Sequence, residues 1–435
     1  MAAYTITTET EIQEPAVSRG YAWIIFALTF GLMLSDYMSR QVLNAVFPLL
    51  KAEWALSDTQ LASLNSIVAL LVGTLTFPLS LIADRWGRVN SITLMALLWS
   101  VATAGCALAA NYEQMFIARF CIGVGEAAYG SVGLAVILAA FPARMRSSLT
   151  ASFMAGGPVG SVLGMALGGA IAKQLGWRPA FAAMAGFGLV LVVLYMLIVR
   201  EKKLRPASAV QGTERQGPTP SRLGVKATFM ALVSSRSVLA AYFGSGLQLF
   251  IFGAILAWLP SYFNRFYHYD AQKAGVTAAG LLLVLSVGMS VCGAITDRLC
   301  RNHPERKWTM AIIYSALSAM FLLLAFQQPV GPQQMLLMAL GMLTVASVTG
   351  PVGAMVANLT HPSIHATAFA TMTLVNNLVG FAPGAFVTGM LSDHMGSLQV
   401  ALSYVPLISI AAVFVFAYGK RHYTNDLQRI QAMQK

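Results

Sequence analysis

Residues 57–88 read SDTQLASLNSIVALLVGTLTFPLSLIADRWGR, and the fold is decided by how this stretch begins, runs and stops. Ser57-Asp58-Thr59-Gln60 has the spacing of a capping box, in which the Ser hydroxyl takes an N3 backbone N–H and the Gln side chain returns to the Ser backbone. An apolar run follows to about residue 83. A helix needs about 20 mainly apolar residues to cross a hydrocarbon layer about 30 Å thick. The run ends at Ala83-Asp84-Arg85-Trp86-Gly87-Arg88, where the charge density is too costly for lipid. The stretch therefore predicts one membrane-spanning helix, entered at a cap and left at a charged loop.

Working outward, similar runs lie near 21–48, 90–110, 113–141, 147–173 and 178–199, then near 237–263, 274–296, 308–328, 333–357, 366–390 and 398–418. With the first, that makes six, a polar gap and six more. The expected organisation is a tail over 1–20, a six-helix bundle over 21–199, a linker over 200–236, a second bundle over 237–418 and a tail over 419–435. The linker is rich in Pro, Gly, Ser, Thr and charge, which suits a connector and not a folded domain. Composition agrees with an all-α membrane protein of twelve helices. Of 435 residues, 57% are apolar and 10% charged, whereas soluble domains carry about 25% charged residues. Residues 1–20 lack a basic segment followed by an apolar one, so no cleaved signal peptide is expected.

The net charge of +12 would suit nucleic acid if it were spread over one face, but its placement says otherwise. With the N-terminus placed in the cytoplasm, only Lys51, Lys173, Arg178, Arg265 and Lys273 fall outside, and Arg40 and Arg119 fall within helices; all other Lys and Arg are cytoplasmic. That asymmetry is the positive-inside pattern and puts both termini in the cytoplasm. A bacterial inner-membrane location and no nucleic-acid partner are expected. Cys106, Cys121, Cys292 and Cys300 have no metal-type or CxxC spacing, so no disulfide, metal or cofactor is expected.

The halves repeat. Asp84-Arg85 after the second run matches Asp297-Arg298 after the eighth, and Arg146-Ser147-Ser148 matches His365-Ala366-Thr367. A duplicated six-helix unit of this kind puts a substrate site at its internal interface.

These residues resemble the major facilitator superfamily over essentially the whole chain, the Asp-Arg-Trp-Gly-Arg loop at 84–88 being that superfamily's best-known motif. Within it the sequence is similar to the bacterial spinster-like group, through Leu56 to Leu61, Arg119 with Gly123-Val124-Gly125-Glu126-Ala127, and Asn377-Leu378-Val379-Gly380 before Pro383-Gly384. The related anion:cation symporters share much of this pattern. Three positions depart from it. Ser80 replaces the leading Gly of the loop motif, His365 stands where Arg is usual, and Ser39 precedes Arg40, the acid lying instead at Asp36. The resemblance implies secondary transport by alternating access. It also implies that Asp84, Arg85, Arg88, Asp297 and Arg298 form gate contacts at the cytoplasmic edge; plain positive-inside anchoring is the other reading.

Four ionisable groups fall inside spans, where each costs at least about 2.5–3.5 kcal/mol on insertion scales. Asp36 and Arg40 are four apart and share a face. Arg119 and Glu126 are seven apart, again on one face. The functional reading is a cluster lining a water-filled path in the first half; the alternative is two ion pairs that fix helix packing. A carboxyl in a low-dielectric site gains or loses its proton as a neighbouring Arg withdraws or approaches. Glu126 is the first candidate for carrying a coupled proton and Asp36 the second. Arg40 and Arg119 have forked donors suited to carboxylate or phosphate, and Arg119 also fits a structural role beside Glu126. Gln248, Asn376 and Asn377 fit either substrate contacts or interhelical hydrogen bonds. Trp258 and Tyr262 fit either a lid over substrate or ordinary interfacial aromatics.

The expected function is a proton-coupled carrier of a small organic anion, acting as a monomer. A lysolipid or amphiphile exporter is the alternative. An intramembrane enzyme or sensor has little support, because no HExxH or GxSxG motif is present.

Overall fold

The computed structural model describes residues 17–142, 145–201, 235–360 and 365–434. The expected linker over 200–236 and the tail over 1–20 therefore fall almost entirely outside the described residues. Among those described, twelve helices are long and apolar enough to span a membrane. They are α1 (Arg19–Trp54), α2 (Asp58–Ala83), α3 (Arg88–Leu108), α4 (Tyr112–Ala140), α5 (Ser148–Leu175), α6 (Trp177–Ile198), α7 (Arg236–Tyr267), α8 (Ala271–Leu299), α9 (Arg306–Gln327), α10 (Pro332–Asn358), α11 (Thr367–Met395) and α12 (Leu398–Gln428). Each begins within about three residues of an expected run, while α1 extends six residues and α12 ten residues past the expected ends. The last helix continues to Gln434, so most of the expected C-terminal tail is helical.

Local chemistry explains the boundaries. The Ser57 hydroxyl accepts from the Gln60 N–H and the Gln60 side chain accepts from the Ser57 N–H, which is the expected capping box. Asp270 caps α8 by accepting from the Lys273 N–H. Its carboxyl is held below the usual carboxylate range by that N–H and by Lys173. Between spans, Gly87 and Gly176 adopt positive φ, at 109° and 91°, which a residue with a Cβ rarely does.

Packing then places α1. In α5, Gly160, Gly164 and Gly168 form a stripe at four-residue spacing, and a Cβ on them would meet Leu34 O at 2.8 Å, Met38 Cα at 2.6 Å and Val42 Cγ2 at 2.8 Å. Only a side-chain-free ridge lets the two backbones approach so closely, the usual device where hydrophobicity cannot drive helices together in lipid.

Two helices show the repeat directly. α4 is interrupted at Ala127–Ala128 and α10 at Ala346–Val348, the same separation that relates Arg146 to His365. The two six-helix bundles meet along α1 with α7, α2 with α11, and α5 with α8. The hydrogen bonds and ion pairs that join the bundles cluster at the end away from the chain termini, here called the far end. There Asn44 donates to Leu256 O at 3.4 Å, and Lys173 Nζ lies 3.0 Å from Asp270. Asp58 and Asp393 supply the remainder, described below. Towards the terminal end α2 loses its partner across the seam, and Phe77, Leu81, Ile82 and Trp86 are all more than half exposed.

Candidate functional site

Close packing of α4 brings its polar residues inward. A Cβ on Gly123 would lie 3.1 Å from Val68 Cα of α2, and one on Gly125 would lie 2.9 Å from Trp99 N of α3. These two contacts wedge α4 between its neighbours and turn Glu126 into the bundle at the point where the helix breaks. The break leaves the Ala127 carbonyl without a helical partner, and Thr76 of α2 donates its hydroxyl to it at 2.5 Å.

Three of the four intramembrane charges meet there. Arg40 Nε lies 3.1 Å from Asp36 Oδ1 and 2.6 Å from Glu126 Oε2. The Nε–H is aligned on Asp36. Among the described residues no donor is aligned on either Glu126 oxygen, so that contact is ionic only. Side-chain exposure is 4% for Asp36 and 0% for Glu126, but 20% for Arg40. Arg40 is thus the one member of the group that solvent reaches, and its guanidinium sits 5.2 Å from the Tyr37 ring centroid.

Arg119 corrects one expectation. Its shared face with Glu126 suggested a pair, yet its Nε donates to Leu64 O at 3.1 Å and its Nη1 to Ser39 O at 3.2 Å. Seven residues correspond to about 10 Å of rise along a helix, too far for a relaxed pair, whereas four correspond to about 6 Å. Arg119 is fully buried and stitches α4 to α1 and α2 through their backbones. Its Nη2 has no partner among the described residues.

The second half holds neutral groups. Gln248 of α7 is fully buried and donates to Ser409 Oγ of α12 at 3.1 Å, while Ser409 and Ser318 of α9 are 3.0 Å apart. Asn376 and Asn377 begin a π-helical turn, Asn376–Phe381, within α11. That turn packs mainly against α7, and at Asn377 it meets α2, where a Cβ on Gly73 would come within 2.6 Å of Asn377 Cβ. Asn377 donates to Thr373 O at 3.0 Å, and Asn376 Oδ1 has no partner among the described residues.

Trp258 and Tyr262 are fully buried and offer no surface to a substrate in this conformation. Trp258 donates to Ala385 O at 3.1 Å and packs against Phe47 across the seam, and Tyr262 accepts from Gln334 at 2.8 Å. Arg85, Arg88, Asp297 and Arg298 are exposed at the terminal end. The side chain of Asp84 lies outside what is described.

Sequence reasoning missed Asp58, read only as part of a cap. It is 2% exposed and bonded to both halves of the molecule. Its partner Arg265 lies 207 residues away, and nothing local in the sequence signals such a pairing.

Comparison with known proteins places this architecture. The family model of the Major Facilitator Superfamily matches residues 29–383. The protein named "Probable L-galactonate transporter" from Escherichia coli (strain K12) is 25% identical over 409 residues, covering 92% of this chain and 89% of its own length. Protein spinster homolog 1 of Xenopus laevis is 24% identical over 394 residues, covering 86% and 73%. Among solved structures, a bacterial homolog of the human lysosomal transporter Spinster, inward-facing and unoccupied, superposes with a TM-score of 0.83 at 17% identity, covering 94% of this chain and 99% of its own. The twelve spans, the duplicated halves and the family match agree: the chain is a multi-pass transporter, not an enzyme, and belongs to the Major Facilitator Superfamily.

Proposed function

We propose that this transporter carries a small organic anion together with protons by alternating access, with both termini in the cytoplasm of a bacterial cell and the far end facing out. The observation that carries the reading is the geometry at Arg40. One partly exposed guanidinium holds two buried carboxylates, and one of these, Glu126, lacks an aligned donor among the described residues. A substrate carboxylate that reached Arg40 would compete with Glu126 for the same positive charge. Once displaced, Glu126 is a buried acid without a counter-ion, and burying such a charge is costly enough that it takes up a proton instead. Anion binding and protonation are then linked in one step. Asp36 keeps its aligned bond and holds Arg40 in place. Arg119 and the neutral residues Gln248, Asn376 and Asn377 complete the polar surroundings. Trp258 and Tyr262 close the outer side, and Asp84, Arg85, Arg88, Asp297 and Arg298 close the inner side when the halves rock the other way. The bundles over 21–199 and 237–418 move as the two rigid parts, joined by the linker over 200–236.

The Escherichia coli relative named as a probable L-galactonate transporter supports an anionic substrate, since galactonate carries a carboxylate. The resemblance to the spinster-like group, which the match to a spinster homolog accompanies, carries a second reading, export of a lysolipid or related amphiphile. Purified protein in proteoliposomes distinguishes them. Radiolabelled galactonate should accumulate inside when the outside is more acidic, and a protonophore should abolish the accumulation. Accumulation that survives the protonophore removes proton coupling. Movement of lysophosphatidylethanolamine with no effect of sugar acids replaces the anion by the lipid.

A further inference from the structure

Asp58 gathers more partners than any other carboxylate described. Its Oδ1 lies 2.5 Å from Lys51 Nζ of α1 and 2.6 Å from Arg265 Nη2 of α7. Its Oδ2 accepts from Arg265 Nη1 at 2.7 Å and from the Ser392 hydroxyl of α11 at 2.6 Å. The backbone N–H groups of Asp58 and Thr59 and the Thr59 hydroxyl all donate to Asp393 of α11, at 2.8, 2.7 and 2.6 Å. A carboxylate at the opening turn of a helix is favoured by the exposed N–H groups and the helix dipole. The first turn of α2 is thus clamped twice, once through its own acid and once through an acid from the other half.

The corresponding seam on the other side is far weaker. There α8 begins at Asp270, and its one described ion pair to α5 is with Lys173; both side chains are 46% exposed. Exposed pairs of that kind contribute little. The cluster at Asp58 differs, because the carboxylate itself is only 3% exposed, and a charge held out of water depends on its partners.

The partners of Asp58 divide unequally between the halves. Lys51 belongs to the same half, whereas Arg265 and Ser392 belong to the other. When the far end parts, Asp58 keeps Lys51 and loses the remaining contacts. We infer that Asp58 with Arg265 and Ser392 is a reversible latch that holds the far end shut and sets the substrate-free resting state, with Lys51 as the counter-ion that keeps Asp58 partnered when the latch opens. This rests on alternating access but not on the nature of the substrate or on proton coupling.

Ser261 gives a probe that needs no substrate. It is fully buried on α7, between Trp258 and Arg265 at three- and four-residue spacing, and so shares their face. Its hydroxyl has no partner among the described residues, so Ser261→Cys sacrifices no hydrogen bond. The variant is made in a background where Cys106, Cys121, Cys292 and Cys300 are replaced, and is labelled with a membrane-impermeant maleimide. With the latch intact, labelling should be slow. Asp58→Asn and Arg265→Gln should each speed it by about tenfold or more, the scale expected for losing one or two kcal/mol from a two-state balance. Lys173→Gln should change it little. Lys51→Gln should fall well short of Arg265→Gln, since Lys51 does not bridge the halves. Unchanged labelling in folded Asp58→Asn and Arg265→Gln overturns the latch, as does a Lys51→Gln rate equal to that of Arg265→Gln. Failure of both bridge variants to give monodisperse protein also overturns it, because the cluster would then be needed for folding and not for switching. Labelling reads the conformational balance alone, so a negative transport result with galactonate leaves this outcome unaffected.

Discussion

The two halves share a scaffold and bury opposite chemistry at matching places. The break in α4 at Ala127 and the break in α10 at Ala346 are equivalent in the repeat. Next to the first stands Glu126, and next to the second stands Val345; one heptad earlier, Arg119 is matched by Met338. All four are buried. The first half therefore keeps ionisable groups where the second keeps apolar side chains. The polar residues buried in the described second half are neutral, and three of them, Gln248, Ser318 and Ser409, are bonded to one another. Duplication supplies two related frames, and among the described residues only the first buries acidic or basic side chains. On the proposed function, proton and anion are handled by the first half, while the second supplies a wall that holds its shape in both conformations.

The most severe way to test that division is Arg40→Ala. It removes the counter-ion of two buried carboxylates, and breaking a buried pair costs about 3–5 kcal/mol. Uptake of galactonate should fall by about a hundredfold or more, as about 3 kcal/mol implies, with folded protein still present in the membrane. Normal uptake by this variant would mean that the charged half does not bind the anion.

Glu126→Gln comes next and separates coupling from binding. The amide keeps the shape of a protonated acid but can never release a proton. Counterflow with substrate on both sides of the membrane should persist, whereas accumulation driven by a pH gradient should be lost. Asp36→Asn should be milder, because the amide oxygen can still accept from Arg40 Nε. If Glu126→Gln keeps gradient-driven transport and Asp36→Asn loses it, the two acids exchange roles.

How far these residues could be read in advance depends on how far apart their partners lie. The spans, the Ser57 cap and the Asp36–Arg40 pair all rest on spacings within one helix, and helical geometry turns such spacings into contacts directly. The pairing of Glu126 with Arg40, in preference to Arg119, depends on how α4 sits against α1, which is set by Gly123, Gly125 and the glycine ridge of α5. The spacing of those glycines does not show by itself that an acid turns towards one Arg and not another. Trp258 and Tyr262 lie towards the far end of α7. Their burial, however, comes from Phe47, Ala385 and Gln334, which belong to other helices. Asp58 is the extreme case, since both residues that hold it from the other half lie more than 200 positions away.

The smallest expected effect tests the neutral half. Gln248→Leu removes the amide that joins α7 to Ser409, and leaves Ser409 and Ser318 with each other at 3.0 Å. Because the two hydroxyls still have partners, the loss should stay near the lower end of the about 1–3 kcal/mol that an unsatisfied buried group costs. Thermal stability in detergent should drop by several degrees. Galactonate uptake should change by less than about threefold, since 0.6 kcal/mol or so is all that a scaffold change of this size need pass on to the transport cycle. The dependence on the pH gradient should be unaltered, as no titrating group has been touched. A different result would redraw the comparison. If Gln248→Leu retains its fold and yet abolishes uptake as completely as Arg40→Ala, the second half contacts the substrate, and Gln248 takes the binding role that its place in α7 first suggested.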